Sequence, residues 1–255
     1  SMKLGADPEL FLIDAAGAFI SAIGKIGGSK TNPLALPIGD GFAVQEDNVA
    51  LEYNIPASNT QEEFVKNILK ATDFLAGHVA TLGLKFSDES AVYFPEDQLK
   101  DPQALEFGCD PDYNAWTGTE NPRPKADDAS LRSCGGHVHV GVDVPNLLQA
   151  VKRMDLFLGV PSVLMDSGVL RRKLYGKRGA FRPKPYGFEY RVLSNFWTMK
   201  AERIRWVWNN TRLAIESDLL DVDSENMPIE EAINKNNIDA AEYLIKKYNI
   251  PITYA

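Results

Sequence analysis

Four short segments of this 255-residue chain carry polar side chains two positions apart. They are Asp7 and Glu9, Glu52 and Asn54, His137 and His139, and Glu189 and Arg191. Residues i and i+2 of a β-strand point to one face, so each segment reads as a strand with a reactive front and an apolar back. Val138 and Val140 stand behind the histidines, and Phe188, Tyr190 and Val192 stand behind Glu189 and Arg191. One such strand is an ordinary solvated face of an antiparallel sheet. Solvated faces favour Lys, Thr and Ser, however, whereas these fronts hold carboxylates and two of the chain's three histidines. Crowded carboxylates repel one another unless cations neutralise them, and oxygen-rich clusters are what Mg²⁺, Mn²⁺ or Ca²⁺ take.

A basic stretch supplies the counterpart. Residues 171–191 contain Arg171, Arg172, Lys173, Lys177, Arg178, Arg182, Lys184 and Arg191, punctuated by Gly176, Gly179 and Gly187. A solvated surface loop is the plain alternative. Arginines delivered to the rim of a metal site suit a polyphosphate, because guanidinium meets phosphate oxygens with two parallel hydrogen bonds. Gly24–Thr31 (GKIGGSKT) falls one residue short of a phosphate-cradling loop, with Ser29 where glycine belongs, and Pro33 and Pro37 forbid the helix that must follow. Lys30 remains a candidate for a phosphate or carboxylate, with a solvent-facing lysine as the alternative. The third histidine, His78, lies in a helical pattern and reads as structural or exposed.

The elements that must position these groups follow from periodicity and turn residues. Residues 3–13 read as a strand interrupted by Pro8, so Asp7 and Glu9 sit on a distorted stretch. A second strand is expected over 18–23, then a Gly- and Pro-rich loop over 24–37, then a hairpin over 42–56 with Asp47 and Asn48 at its turn. Thr60 opens an amphipathic helix over 60–82 that buries Phe64, Ile68, Leu75 and Val79. Residues 90–130 read as irregular, with 107–114 (FGCDPDYN) a loop. A short strand at 136–142 is followed by helix at 146–158 and in part of 160–175. A basic loop at 176–187 leads into a strand at 188–194, a helix over 198–220, and one or two more within 229–247. Strands, helices and strands again predict an α+β fold around one mixed or antiparallel sheet, as a single unit over 2–255 once Ser1 is set aside as an expression remnant.

Composition excludes several functions. The formal charge is −8, with 27 basic against 35 acidic residues, which argues against general nucleic-acid or anionic-membrane binding. No apolar run approaches a membrane span, and no signal peptide is apparent. Cys109 and Cys134 suggest no disulfide framework, so a reducing cytoplasm is the expected location, the host's if the chain is phage-encoded.

Gly136-His137-Val138-His139-Val140-Gly141, Asp7-x-Glu9 and Phe188-Glu189-Tyr190-Arg191 resemble the nucleotide and metal strands of the glutamine synthetase / glutamate–cysteine ligase superfamily. Within it, GADPELF, QEDNVALEYNIP, FGCDPDYN and YGKRGAFRPKPYGFEYRVLSNFW resemble the phage-associated COOH–NH2 ligase type 2 family over most of the chain. The resemblance implies a curved, mostly antiparallel sheet of the glutamine synthetase-like type, with helices packed on its outer face and two or three divalent ions and ATP on its concave face. It implies Asp7, Glu9, Asp47, Glu52, His137 and Glu189 as ligands of Mg²⁺ or Mn²⁺. It makes His139 the nucleotide-facing histidine and Arg191 the phosphate arginine, with Arg178, Arg182, Lys177 and Lys30 around the nucleotide. The family's first acid is a glutamate where this chain has Asp7.

The activity so implied is ATP-dependent amide or peptide bond formation through an acyl phosphate, with Arg191, Arg182 and Glu189 at the reacting centre. The substrates are small-molecule or peptide carboxylates and amines, and the assembly state is open. Asp110 and Asp112 are candidate amine-recognition groups, with turn-forming aspartates as the alternative. Two rivals stand: a metal-dependent hydrolase, since His-x-His beside carboxylates also activates water, and a non-catalytic nucleotide-binding protein on a ligase scaffold.

Overall fold

The structure is a computed structural model that describes residues 1–106, 111–125 and 128–255. Every strand pairing among these residues is antiparallel, and helices cover the strands, giving an α+β fold. The expectation of one sheet is corrected: the described strands fall into four sheets. The largest has six strands in the order β1 (Lys3–Ala6), β13 (Val138–Gly141), β15 (Gly187–Tyr190), β14 (Ala180–Lys184), β10 (Tyr113–Asn114) and β11 (Thr119–Glu120). The second runs β2 (Glu9–Leu10), β7 (Ala50–Asn54), β6 (Ala43–Asp47) and β5 (Leu34–Ala35). Smaller sheets join β4 (Phe19–Ile20), β3 (Leu12–Ile13) and β8 (Lys85–Phe86), and β12 (Leu131–Ser133) with β9 (Ala91–Tyr93).

Pro8 explains the division. Lacking an N–H, it ends the ladder that β1 makes with β13. The chain crosses at Asp7-Pro8 from the first sheet to the second, where the Pro8 carbonyl accepts from Tyr53 N–H at 3.1 Å. The expected strand 3–13 is therefore three short strands in three sheets.

The basic segment is a second correction. Residues 180–190 are a hairpin of β14 and β15, not a loop followed by a strand. Tyr113-Asn114, expected as loop, pairs with β14. Both extend the ladder begun by the histidine strand, so pairing rather than local composition decides their conformation.

The helices are α1 (Gln61–Ala80), α2 (Leu147–Met154), α3 (Val160–Met165), α4 (Ala201–Glu216), α5 (Asn226–Asn234) and α6 (Ile238–Tyr248). Thr60 caps α1 by accepting from Glu63 N–H, and His78 in its last turn is exposed. A π-helical turn, Asp155–Gly159, joins α2 to α3 and is fully buried. The backs of β13 and β15 (Val138, Val140, Phe188, Tyr190) share one core with Met154, Leu158, Val207 and Ile233 of the helices. Packing the apolar back against helices leaves the polar front of the sheet facing a cavity. Among the described residues no helix is long and apolar enough to cross a membrane.

Candidate metal and phosphate site

Register builds the site. Across the first sheet, His139 lies opposite Gly5 on one side and Glu189 on the other, and Glu189 lies opposite Arg182. Imidazole, carboxylate and guanidinium thus stand side by side in one cross-strand row. One step along the strands, Asp7 closes on the row from the end of β1. In the second sheet Glu9 lies opposite Glu52, which lies opposite Gln45, and Asp47 follows two residues on.

Two groups of side chains result whose donor atoms lie within 4.8 Å of one another: Asp7, His139 and Glu189, and Glu9, Asp47 and Glu52. Asp7 and Glu9, two residues apart, serve different groups, because Pro8 moves the chain between sheets. Asp7 Oδ1 and His139 Nε2 are 3.1 Å apart, both buried, and neither has a hydrogen-bond partner of acceptable geometry. Buried polar atoms are rarely left so, and a cation between them would satisfy both. His137 Nδ1 stands 3.4 Å from Glu189 Oε1 and 3.8 Å from Asp7 Oδ1, so both histidines converge on the same carboxylates.

The electrostatics of the second group suit a bound cation. Burial, reinforced by the neighbouring Asp47, pushes the Glu9 carboxyl well above its usual range. Burial and the charges of Asp7, Glu9 and Asp47 do the same to Glu52. Burial pushes Asp47 up too, but hydrogen bonds with Glu9 and Glu52 and the Lys30 charge hold it below. Three carboxyls that cannot all ionise alone are the donor set a hard divalent ion takes. Beside the first group burial, reinforced by Arg191, lowers His137, while within it Asp7 and Glu189 outweigh burial and raise His139.

Both groups line one cavity of about 790 Å³, together with Lys30, Asn54, Asp112, Lys177, Arg182 and Arg191. Arg191 donates through Nη1 to Glu189, and its Nε lies 3.3 Å from Asp112 Oδ2. Asp112 is therefore an ion-paired wall residue, held also by Asn121 at 3.0 Å, rather than only a turn former. Arg182 Nε donates to the Pro111 carbonyl at 3.2 Å. Asp110 and Cys109 lie outside the described residues.

Arg178 is a correction: it does not line the cavity. Its guanidinium pairs with Glu230 of α5 and lies 4.9 Å from the Trp116 ring centroid, and its N–H donates to Asn234 at 2.8 Å. A carboxylate and an aromatic face on the helix side hold it there. The Gly24–Thr31 stretch opens no helix, and several of its N–H groups are already engaged by other parts of the chain. Gly24, Ile26 and Gly27 donate to the Glu46 carboxylate at 3.0, 3.2 and 2.7 Å.

Three further positions at the site carry no individual role in the sequence motifs, although Arg171 and Lys184 fall within the basic stretch 171–191. Lys184 Nζ lies 3.7 Å from Glu189 Oε2. It follows Arg182 by two on β14, so the same period-2 rule finds it once that stretch is read as a strand. Gly135 donates its N–H to Glu9 Oε1 at 2.8 Å, and a Cβ there would lie 2.5 Å from His137 Nε2. Arg171 lines the cavity from a short turn with no periodic signal.

On this α+β scaffold two acid groups and several basic side chains face one cleft, a donor set chemically suited to divalent cations beside an anionic ligand. Residues 128–243 match the family model described as phage phiEco32-like COOH.NH2 ligase-type 2. This segment, somewhat less than half of the chain, is similar to that family, whose name describes a carboxylate–amine ligase. The matched segment holds His137, His139, Arg171, Arg182, Lys184, Glu189 and Arg191, while Asp7, Glu9, Lys30, Asp47, Glu52 and Asp112 precede it. No curated protein matches the chain.

Proposed function

We propose that the chain forms an amide or peptide bond at the expense of ATP, through an acyl phosphate, with divalent ions at its two acid groups. The observation that supports this most directly is the sharing of one cavity by two cation-competent groups and by Arg182, Lys184 and Arg191. Asp7, His139 and Glu189 would hold one ion, with His137 as a further nitrogen donor. Glu9, Asp47 and Glu52 would hold the other. When bound, Mg²⁺ or Mn²⁺ would neutralise phosphate charge and align the transferring group.

The chemistry then falls to the side chains around them. A carboxylate oxygen attacks the γ-phosphorus; the new O–P bond forms as the bond to ADP breaks. The amine nitrogen attacks the acyl carbon, the C–N bond forms, inorganic phosphate leaves and the nitrogen gives up a proton. Arg191, Arg182 and Lys184 oppose the negative charge that gathers on the phosphoryl oxygens, the kind of electrostatic stabilisation that usually contributes most. Lys30, beside Asp47, and Lys177 extend the basic wall toward the nucleotide.

Thermal unfolding with a non-hydrolysable ATP analogue tests the reading. A ligand bound only by the folded state stabilises it by about 2.7 kcal/mol at a hundredfold excess over its dissociation constant. The expected result is a shift that requires analogue and Mg²⁺ or Mn²⁺ together. A large shift with zinc alone and none with nucleotide would point instead to a metal-dependent hydrolase.

A further inference from the structure

Arg171 is 2 % exposed, yet among the described residues it makes no salt bridge. Its guanidinium is used unevenly. Nη1 donates to the Val192 carbonyl at 2.9 Å, whereas Nη2 reaches only the Arg191 carbonyl, at 3.5 Å, and buried Nε has no partner at all. The Nη1 end is closed off by Gly176, where an added Cβ would run into Nη1 and into the Val192 carbonyl at 2.9 Å. The underused edge is therefore the side-on pair Nε and Nη2, whose two parallel donors match the two oxygens of a carboxylate.

A buried cation without an anion is costly, so an anion that met its unused donors would be strongly favoured there. Burial and neighbouring Arg172 pull the guanidinium down to about 10, which leaves it a cation at neutral pH. Arg171 also lines the cavity. Its attractive neighbours are Glu9 and Asp166, and Asp166 is already engaged by Ser194 Oγ at 2.6 Å and Gly168 N–H at 2.8 Å. It thus stands beside the Glu9 group, whereas Arg182, Lys184 and Arg191 crowd the Glu189 group.

We propose that Arg171 is the recognition residue for a carboxylate of the acid substrate, seated through its Nε and Nη2 edge on the Glu9 side of the cavity. This rests on the ligase reading and adds a division of labour to it. The cations around Glu189 take the nucleotide phosphates, and Arg171 takes the acid. It also gives Gly176 a purpose, since no larger residue permits Arg171 to lie so close to the chain.

The test uses the whole chain labelled with ¹⁵N-arginine, saturated with Mg²⁺ and a non-hydrolysable ATP analogue, and titrated with acetate and with succinate. The Arg171 Nε–H resonance is identified by its loss in Arg171→Lys, or in Arg171→Met if the lysine variant does not fold. The expected result is a saturable displacement of that resonance by acid. Arg171→Lys should weaken the acid's apparent affinity roughly tenfold or more, as expected for a lost charge-assisted pair, while the nucleotide-dependent thermal shift persists. A resonance that neither acid moves, or that the analogue alone moves fully, overturns the proposal; the latter would make Arg171 a phosphate residue. Absence of any nucleotide-dependent thermal shift would instead sink the ligase reading, and the acid titration of the resonance would still decide Arg171's role.

Discussion

Glu189 is the side chain on which the charges of the site converge: His137, His139, Lys184 and Arg191 all reach its carboxylate. Burial would push that carboxyl up, but the hydrogen bond to His137 and the charges of His137 and Arg191 hold it well below the usual range. Glu189→Gln removes the charge at nearly constant shape. ADP release should fall roughly hundredfold or more, in line with the loss of a transition-state electrostatic partner, while circular dichroism stays native. Turnover at the wild-type rate would remove Glu189 from the reacting centre. His78→Ala, by contrast, alters an exposed helix end and should leave ADP release within a few-fold; complete loss in a folded variant would show a role the structure does not supply. At this scale the sequence was informative wherever alternation within one strand was enough, as for His137/His139 and Glu189/Arg191. It misled at Arg178, whose place is set by Glu230 and Trp116, residues far away in the chain. It placed Arg171 in the basic stretch without singling it out, because the underused hydrogen-bonding edge of its guanidinium is revealed only by packing.

At the level of elements, the front of the sheet is held by devices behind and beside it. Buried Asp155, in the π-helical turn, accepts from Tyr190 Oη and from Trp116 Nε1, each at 2.7 Å. It thereby ties β15, and so Glu189 and Arg191, to the helix layer and to the β10–β11 turn. Burial outweighs these hydrogen bonds and raises the Asp155 carboxyl from 3.8 to about 6. The folded state then binds this proton more tightly than the unfolded chain, so the contribution to stability falls as pH rises from about 4 to about 6. The full change is on the order of 3 kcal/mol. Asp155→Asn should flatten that part of a urea-stability profile, since an amide still accepts from Trp116 and donates to Tyr190; an unchanged slope would place the titration elsewhere. Gly135→Ala tests the other device. A methyl there meets His137 at the ring, so metal affinity should drop about 10- to 100-fold, as for lost supporting contacts around a metal site, with little change in unfolding cooperativity. Unaltered Mn²⁺ affinity would mean that His137 has room to move. Helix α1 and the β6–β7 hairpin were legible from capping, periodicity and turn residues because their signals are local. The β14–β15 hairpin was not, since its basic composition reads as loop until β13 and β10 pair with it. Nor was the Asp7–Glu9 division, which depends on Pro8 passing the chain between two sheets.

For the whole molecule, a chain of net charge −8 gathers cations and carboxylates together in a single cavity, with Lys184 and Arg191 against Glu189. Without a divalent ion the Glu9 group is a liability. Glu9 and Glu52 are raised by burial, so the folded state holds protons there that the unfolded chain has released above about pH 4.5. Metal-free protein should accordingly lose stability as pH rises above that value, and Mg²⁺ should restore it most at neutral pH; melting curves with and without chelator at pH 5 and 7.5 check this. A larger Mg²⁺ effect at pH 5 would contradict it. The central claim is that the two acid groups each take a divalent ion beside a nucleotide, and counting those ions tests it most directly. Electron paramagnetic resonance titration of Mn²⁺ in the presence of a non-hydrolysable ATP analogue should find two ions per chain in the wild type and one in Glu52→Gln. One ion or none in the wild type, or two ions undiminished by Glu52→Gln, would contradict the account.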